Sequence, residues 1–459
     1  MPVAAGSSVD RSGVAELRAL QLQLDAAIDA LAAADEAPLV ALDSTSSGPA
    51  PLGTAAIVAR ATAKRIAALL GGQMHTFELA FSFHVPAALR VAIEAHVVEI
   101  LREAADKARN PDEGLAAADI AEVTGMDGAK LARVLRLLAA HHIFREVAPD
   151  HFANNRCSLA LDTHKRVKDL VETKEMYTDT DGVAALIAHI ADDGLIGAAY
   201  LADTLLSPNT AHSYSASETA LAKAFGIDTP VWQHWAKPEN ASALHRFSYA
   251  MKGTQAMQNG KSVGGFPWQA LPQDALVVDV GGGVGSLDLE ILKVAPQVKV
   301  IVQDRPEVVP EALEVWKASA PEHLESGRAT LMAHDFFTPQ PVANADVFVL
   351  RFIIHDWSDA PATTILSHLA AAASPLTKLV LIEQTYASLS DTGGFVATPL
   401  PYLTDSQMLV ALNALERTEA QYAELARVAG WSLTKVWKTG DGGKEGGFRH
   451  YEFALAKEE

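Results

Sequence analysis

The spacing of apolar positions changes character along the chain. Residues 14–34 and 54–70 repeat apolar side chains every three or four positions (Ile57, Ala61, Ile66, Leu69 and Leu70 in the second), so each predicts an amphipathic helix. Residues 37–53 between them, with STSSGPAP at their centre, have the composition of a linker. Two helices on a loose tether leave their stripes uncovered, and a partner subunit is the expected cover. Residues 87–104, 115–124 and 127–140 read as three further helices. Residues 143–147 and 151–154 flank Ala148-Pro149-Asp150 as a hairpin, which together with those helices predicts a winged helix. Residues 162–259 are mostly helical around a loop at 207–217.

From Leu276 the pattern becomes strand alternating with helix. Leu276–Val280 is a β-branched run suited to a parallel strand buried on both faces. Glycines at 281, 282, 283 and 285 follow. They permit a sharp turn and a close backbone approach to a ligand. Leu287, Leu289, Ile291, Leu292 and Val294 then mark a helix, and a second strand at 298–302 leads to Asp304. Strands are also expected at 329–333, 347–354 and 379–382, helices at 362–373 and 419–429, and a terminal β pair at 433–436 and 451–456 around the glycine-rich 440–447. A Gly/Pro loop falls at 391–401. Thr418 and Gln421 are spaced for a capping box on the 419–429 helix. The alternation means a doubly wound α/β sheet behind a helical and winged-helix region. The expected domains are an arm with its linker (1–75), a winged-helix domain (76–165), a helical connector (166–260) and an α/β domain (261–459), to which the resemblance given below adds dimerisation for the second, a share of the acceptor pocket for the third and catalysis for the fourth.

Asp304 follows Gly285 by 19 residues, the separation at which a βαβ unit presents a carboxylate to ribose hydroxyls. A dinucleotide site requires G-x-G-x-x-G. Here the frame Gly281, Gly283 reaches Ser286 where the third glycine would stand, so the turn departs from the dinucleotide pattern while the ligand is still expected to carry a ribose. Asp304, Asp335, His355 and Glu383 all fall at or just past strand ends, the rim where ligands bind in such sheets. A neutral imidazole, with its ordinary pKa of about 6.5, is suited to take a proton from an attacking hydroxyl. Glu383 is one candidate to orient it and Asp356 the competing one. Phe247, Met251 and Met257 share a helical spacing that fits either plain core or a pocket wall.

The formal net charge of −19 argues against nucleic acid and against anionic membranes as partners. Within the winged helix Lys130, Arg133 and Arg136 are balanced by Asp119, Glu122 and Asp127. The single cysteine, Cys157, excludes an internal disulfide or a thiolate metal site and is expected to be a small buried apolar side chain. No window approaches about 18 uninterrupted apolar residues, so a cytoplasmic protein is expected.

The segments VVDVGGGVGS, VQDRPEVV, HDFF, VLRFIIHDWSD, VLIEQ and ALERTEAQYAELARVAGW resemble the S-adenosylmethionine-dependent O-methyltransferases of the caffeate and flavonoid type, with fungal members most similar. The resemblance is dense from about Phe247 onward and looser through the winged helix. It implies a Rossmann-like catalytic domain behind a dimerisation domain, S-adenosylmethionine as cofactor with no metal, a small phenolic acceptor and a homodimer. It makes His355 the general base, with Glu383 and Glu416 as flanking carboxylates. Gly281 and Gly283 belong to the cofactor turn, with Gly281 toward the methionine end. Asp304 takes the ribose, Asp335 and Phe336 take the adenine, and Arg351 stands where plant members carry lysine. Phe247 and Met251 are assigned to the acceptor pocket. The region 194–217 and the N-terminal arm lack a counterpart in plant members. Two other classes remain open on the residues alone, an NAD-dependent dehydrogenase and a catalytically silent ligand-binding protein on the same fold.

Overall fold

The computed structural model describes residues 12–33, 54–110, 113–172, 175–257, 263–385, 399–438 and 447–456. The linker expected at 37–53 and most of the two glycine-containing loops at 391–401 and 440–447 lie outside them. The chain divides after Leu195 into two compact units. Residues 166–195 of the expected connector go with the first unit and 196–260 with the second.

In the first unit, helices Ser12–Ala33 and Thr54–Gly71 pair with each other and bury Leu20, Ala27 and Ala61. Their pairing is antiparallel, because Arg65 near the end of one forks onto Glu16 at the start of the other (Nε 3.0 Å, Nη2 2.8 Å). Part of the stripe expected to meet a partner is thus covered within the chain, while Leu22 and Ile28 stay exposed. A helix not foreseen from the sequence, Gln73–Phe81, has no buried residue and presents Met74, Phe77, Leu79 and Phe81 to solvent. The helix expected over 87–104 is two, His84–Glu94 and Val97–Lys107, because His96 between them takes a left-handed φ of 54°. By length and composition Gln73–Glu94 would suffice to cross a membrane, with a mean hydropathy of 1.2.

The wing is present. Strands β1 (Leu115–Ala116), β2 (Phe144–Ala148) and β3 (His151–Asn154) form an antiparallel sheet in the order β1-β3-β2. Asp127 immediately precedes the helix that carries Lys130, Arg133 and Arg136. Its carboxylate caps helix Gly128–Ala140 by accepting the Lys130 N–H at 2.9 Å. Arg136 instead forks onto Glu146 (Nη2 2.8 Å) and Asp150 (2.7 Å) of the wing. Cys157 is exposed rather than buried, because it lies in the surface turn after the hairpin, where its N–H reaches Asn155 Oδ1.

The second unit is built on β4 (Leu276–Val280), β5 (Lys299–Asp304), β6 (Ala329–Ala333), β7 (Val347–Arg351), β8 (Lys378–Thr385), β9 (Trp431–Lys438) and β10 (Gly447–Leu455). Their order is β6-β5-β4-β7-β8-β10-β9; the first five are parallel, and β10 runs antiparallel to both neighbours. Helices cover both faces. Leu287, Ile291, Trp268 and Trp316 close one core, and Ile365, Leu366, Leu369, Tyr422 and Trp431 the other. Burial on both sides explains why the strands read as continuous apolar runs. Winding proceeds from β4 outward to β6, then returns to β7 beside β4. The crevice at the carboxyl ends of these two strands is the switch point where doubly wound sheets bind ligands.

Candidate functional site

The turn after β4 is shaped by clashes that any side chain would create. Gly281, Gly283 and Gly285 take φ of 76°, 59° and 80°. A Cβ on Gly281 would stand 2.5 Å from Ile353 Cδ1 and 3.5 Å from Phe336 Cε1, and one on Gly282 would stand 2.6 Å from Asp279 Oδ2. At Gly285 it would drive into the Trp316 indole, whose Nε1 donates to the Val284 carbonyl at 3.0 Å. Gly283 alone of these faces open space. Its N–H donates to Asp304 Oδ2 at 2.8 Å, while Asp304 Oδ1 accepts the Arg305 N–H at 2.7 Å. The carboxylate that ends β5 is therefore locked against the glycine turn. Burial pushes it above the ordinary aspartate range, against the pull of the two amides.

Phe336 follows β6 and stacks edge-on with Phe337 (5.0 Å) and Trp357 (5.9 Å). Asp335 is exposed, and its Oδ1 accepts the Phe337 N–H at 3.0 Å. Arg351 ends β7, with Nη1 buried and without a hydrogen-bond partner. Burial lowers its pKa, opposed by the nearby Asp279 and Asp288. Burial likewise pushes both of those carboxyls up, Asp279 to about 6. These groups fit an adenosyl ligand without pyrophosphate: a turn open at Gly283, a carboxylate for ribose hydroxyls and an aromatic wall beside the turn.

His355 lies not on β7 but four residues beyond it, in a short 3-10 turn, Ile354–Asp356. The chain reaches that turn through Phe352, a bulky residue at φ 55° whose ring centroid is 5.4 Å from that of His355. A left-handed phenylalanine is strained, and such strain collects at functional sites. The imidazole Nδ1 is 3.0 Å from Glu416 Oε1, and Nε2 is 3.5 Å from Asp356 Oδ1. Glu416, not Glu383, is the ring's hydrogen-bond partner. Glu383 sits on β8 beneath the turn, where its Oε1 accepts the N–H groups of Ile353 (3.2 Å) and Ile354 (2.8 Å). It holds the backbone that carries the histidine.

The electrostatics are those of one cation among three acids. Burial alone would lower the His355 pKa, but Glu416, Asp356 and Glu383 outweigh it and push it up to about 10. Burial pushes Asp356 to about 6 and Glu383 to about 7, each opposed by the histidine's charge. The second oxygens of Glu383 and Glu416 are buried without a hydrogen-bond partner. Among the described residues no group of three His, Cys, Asp or Glu could hold a metal ion.

The three residues proposed for an acceptor wall do not share one environment. Phe247 packs with Trp232 (centroids 5.3 Å) and Trp235 (4.9 Å) against a core containing Leu221 and Leu412. Met251 is 43% exposed on the same helix, and the Met257 side chain lies outside the described residues. Helix Leu400–Leu412 links that aromatic cluster to the segment carrying Glu416. Two site residues escaped the sequence reading. Asp405 on this helix accepts the Glu416 N–H at 2.9 Å, and Arg417 is bonded to the histidine's turn. Nothing in the sequence signals Asp405, whereas Arg417 is adjacent to Glu416 in the motif ERT.

The comparisons with known proteins agree with this geometry. A model of the O-methyltransferase domain matches residues 200–432, and one of the O-methyltransferase dimerisation domain matches residues 77–162. The chain belongs to the O-methyltransferase family. This O-methyltransferase is 39% identical over 406 residues to an O-methyltransferase of Armillaria gallica, covering 83% of this chain and 84% of that one. It is 37% identical over 379 residues to 4-O-methyltransferase 1 of Phanerochaete chrysosporium, covering 77% and 79%. Its fold matches that of OxaC, solved in complex with sinefungin and meleagrin, with a TM-score of 0.72 at 20% identity over 96% of this chain and 98% of that one. It is thus an S-adenosylmethionine-dependent enzyme that methylates a hydroxyl of a small molecule, and the missing third glycine of a dinucleotide turn accords with that cofactor.

Proposed function

We propose that the acceptor is a phenol of a small secondary metabolite, that His355 takes its proton, and that the enzyme works as a homodimer. The observation that carries this reading is the 3.0 Å contact between His355 Nδ1 and Glu416: with the neutral ring's proton on Nδ1 and donated to that carboxylate, the Nε2 lone pair is left for the acceptor hydroxyl. Gly281, Gly283, Asp304, Asp335, Phe336 and Arg351 would hold S-adenosylmethionine, which supplies when bound a methyl group activated by positive sulfur. His355 then removes the hydroxyl proton as the oxygen becomes the nucleophile, and Glu416 stabilises the imidazolium formed. Glu383 keeps the turn in place through two amides. Burial would lower the His355 pKa, but the surrounding carboxylates push it up to about 10, which makes the ring a stronger base toward a weakly acidic hydroxyl such as a phenol. A cationic ligand in the site favours the neutral ring further. The apolar surface on Gln73–Phe81, at the border of the matched dimerisation domain, supports a self-associating subunit.

The deciding experiment is transfer of labelled methyl from S-adenosylmethionine to catechols, flavonoids and simple phenols, with His355→Ala beside the native chain. We expect label in a phenol only with His355 present and calorimetric cofactor affinity within a few-fold in the variant. Labelled product from His355→Ala at the native rate would refute the assigned base. Loss of turnover together with cofactor binding would make the histidine structural.

A further inference from the structure

Glu416 holds the imidazole, and the next residue in the chain holds the backbone that bears it. Arg417 is 0% exposed. Its Nη1 donates to the Ile354 carbonyl at 2.9 Å, and its Nη2 donates to the Trp357 carbonyl at 2.8 Å and to Asp359 Oδ1 at 2.7 Å. Its Nε donates to the same Asp359 oxygen at 3.2 Å. The two carbonyls bracket His355, and Asp359 is the first residue of helix Asp359–Ala372. Within itself the turn has little to hold it: Trp357 N–H reaches the Ile354 carbonyl at 3.3 Å and Asp356 N–H the Ile353 carbonyl at 3.1 Å. Short 3-10 turns have poor internal hydrogen-bond geometry, so outside partners decide where they sit. Here Glu383 holds the amides on one side and Arg417 the carbonyls on the other.

We propose that Arg417 is a positioning residue for methyl transfer: its planar fork fixes the Ile354–Trp357 backbone so that His355 Nδ1 stays within reach of Glu416. The inference rests on His355 being the base. Consecutive residues thus set the two coordinates of that base, Glu416 the ring and Arg417 its backbone. Lysine cannot replace the fork, because an ammonium offers a point charge and not donors in a rigid plane.

The test is Arg417→Lys, which keeps the charge and removes the fork. We expect kcat to fall on the order of ten- to a hundred-fold, as small misplacements of reacting groups do, with the cofactor dissociation constant and acceptor KM within three-fold. The acid limb of kcat/KM should also move to lower pH, because His355 loses the carboxylate that raises its pKa. Asp359→Asn, altering an exposed carboxylate, should shift the same limb in the same direction by less; it keeps the test open should the lysine variant fold poorly. An Arg417→Lys enzyme with native kcat and an unmoved limb would overturn the inference. So would reduced kcat with an unmoved limb and weakened cofactor binding, which marks a purely structural side chain. His355→Ala is assayed alongside: turnover surviving there removes the base assignment itself, while its loss beside a native-like Arg417→Lys removes this inference alone.

Discussion

At the scale of single residues, the proposed role of His355 as base, with carboxylates that favour its protonated form, predicts a rate that depends on pH in a defined direction. On that proposal the neutral imidazole is the active form, so kcat/KM should climb as pH rises from neutrality toward about 10, the value to which the surrounding carboxylates push His355. Glu416→Gln removes the carboxylate that does most to raise that value. The same limb should then move to lower pH while kcat falls, on the order of a hundred-fold, because the ring loses its orienting partner. Initial-rate profiles of both enzymes check this, and an unmoved limb in the glutamine variant would show that Glu416 does not set the histidine's charge. His355 and Asp304 were legible in the sequence because each ends or follows an apolar run at a spacing with chemical meaning. Glu416 came only from the resemblance, since its contact with His355 joins positions 61 apart and leaves no periodic trace. Asp405 and Arg417 stayed hidden for the same reason: a hydrogen bond made by tertiary packing has no signature in local spacing.

Elements were legible where hydrophobic period and stop signals coincided. The capping box at Thr418 and Gln421 is formed on both sides, and β4, the helix Ser286–Val294 and β5 fall close to where the pattern put them. Helices Val309–Ser319 and Leu400–Leu412 were missed; the latter has apolar side chains all round and thus no face for periodicity to reveal. The break at His96 was missed because the apolar pattern continues across it. The glycine turn makes a prediction at this scale. Gly285→Ala must accept both a left-handed backbone, costing about 1–2 kcal/mol, and a clash with Trp316. It should lower the urea midpoint and shift tryptophan emission. Gly283→Ala meets no atom within 4 Å and should lose only the backbone part. Its methyl would enter the open space beside Asp304, where the cofactor is proposed to bind, so calorimetry should find weakened cofactor binding. Equal stability loss in the two variants would mean that the Trp316 contact is unimportant.

For the whole molecule, the sequence conveyed the doubly wound half more fully than the helical half, because βα alternation fixes a topology while amphipathic helices name only a face to be covered. Phe77 and Phe81, 59% and 51% exposed with ring centroids 5.0 Å apart, are the test of what covers that face. Phe77→Glu with Phe81→Glu should turn a dimer into a monomer by sedimentation velocity, and an unchanged mass would place the interface elsewhere. The order β8-β10-β9 carries a consequence for biosynthesis. Translation delivers β9 before the strand it must lie against, and the edge of β8, next to Glu383, stays unfilled until β10 emerges. An open apolar edge is a site of misassociation. The floor under the histidine's turn is therefore complete only once β10 lies between β8 and β9, and until then the edge of β8 is open to pairing with a foreign strand.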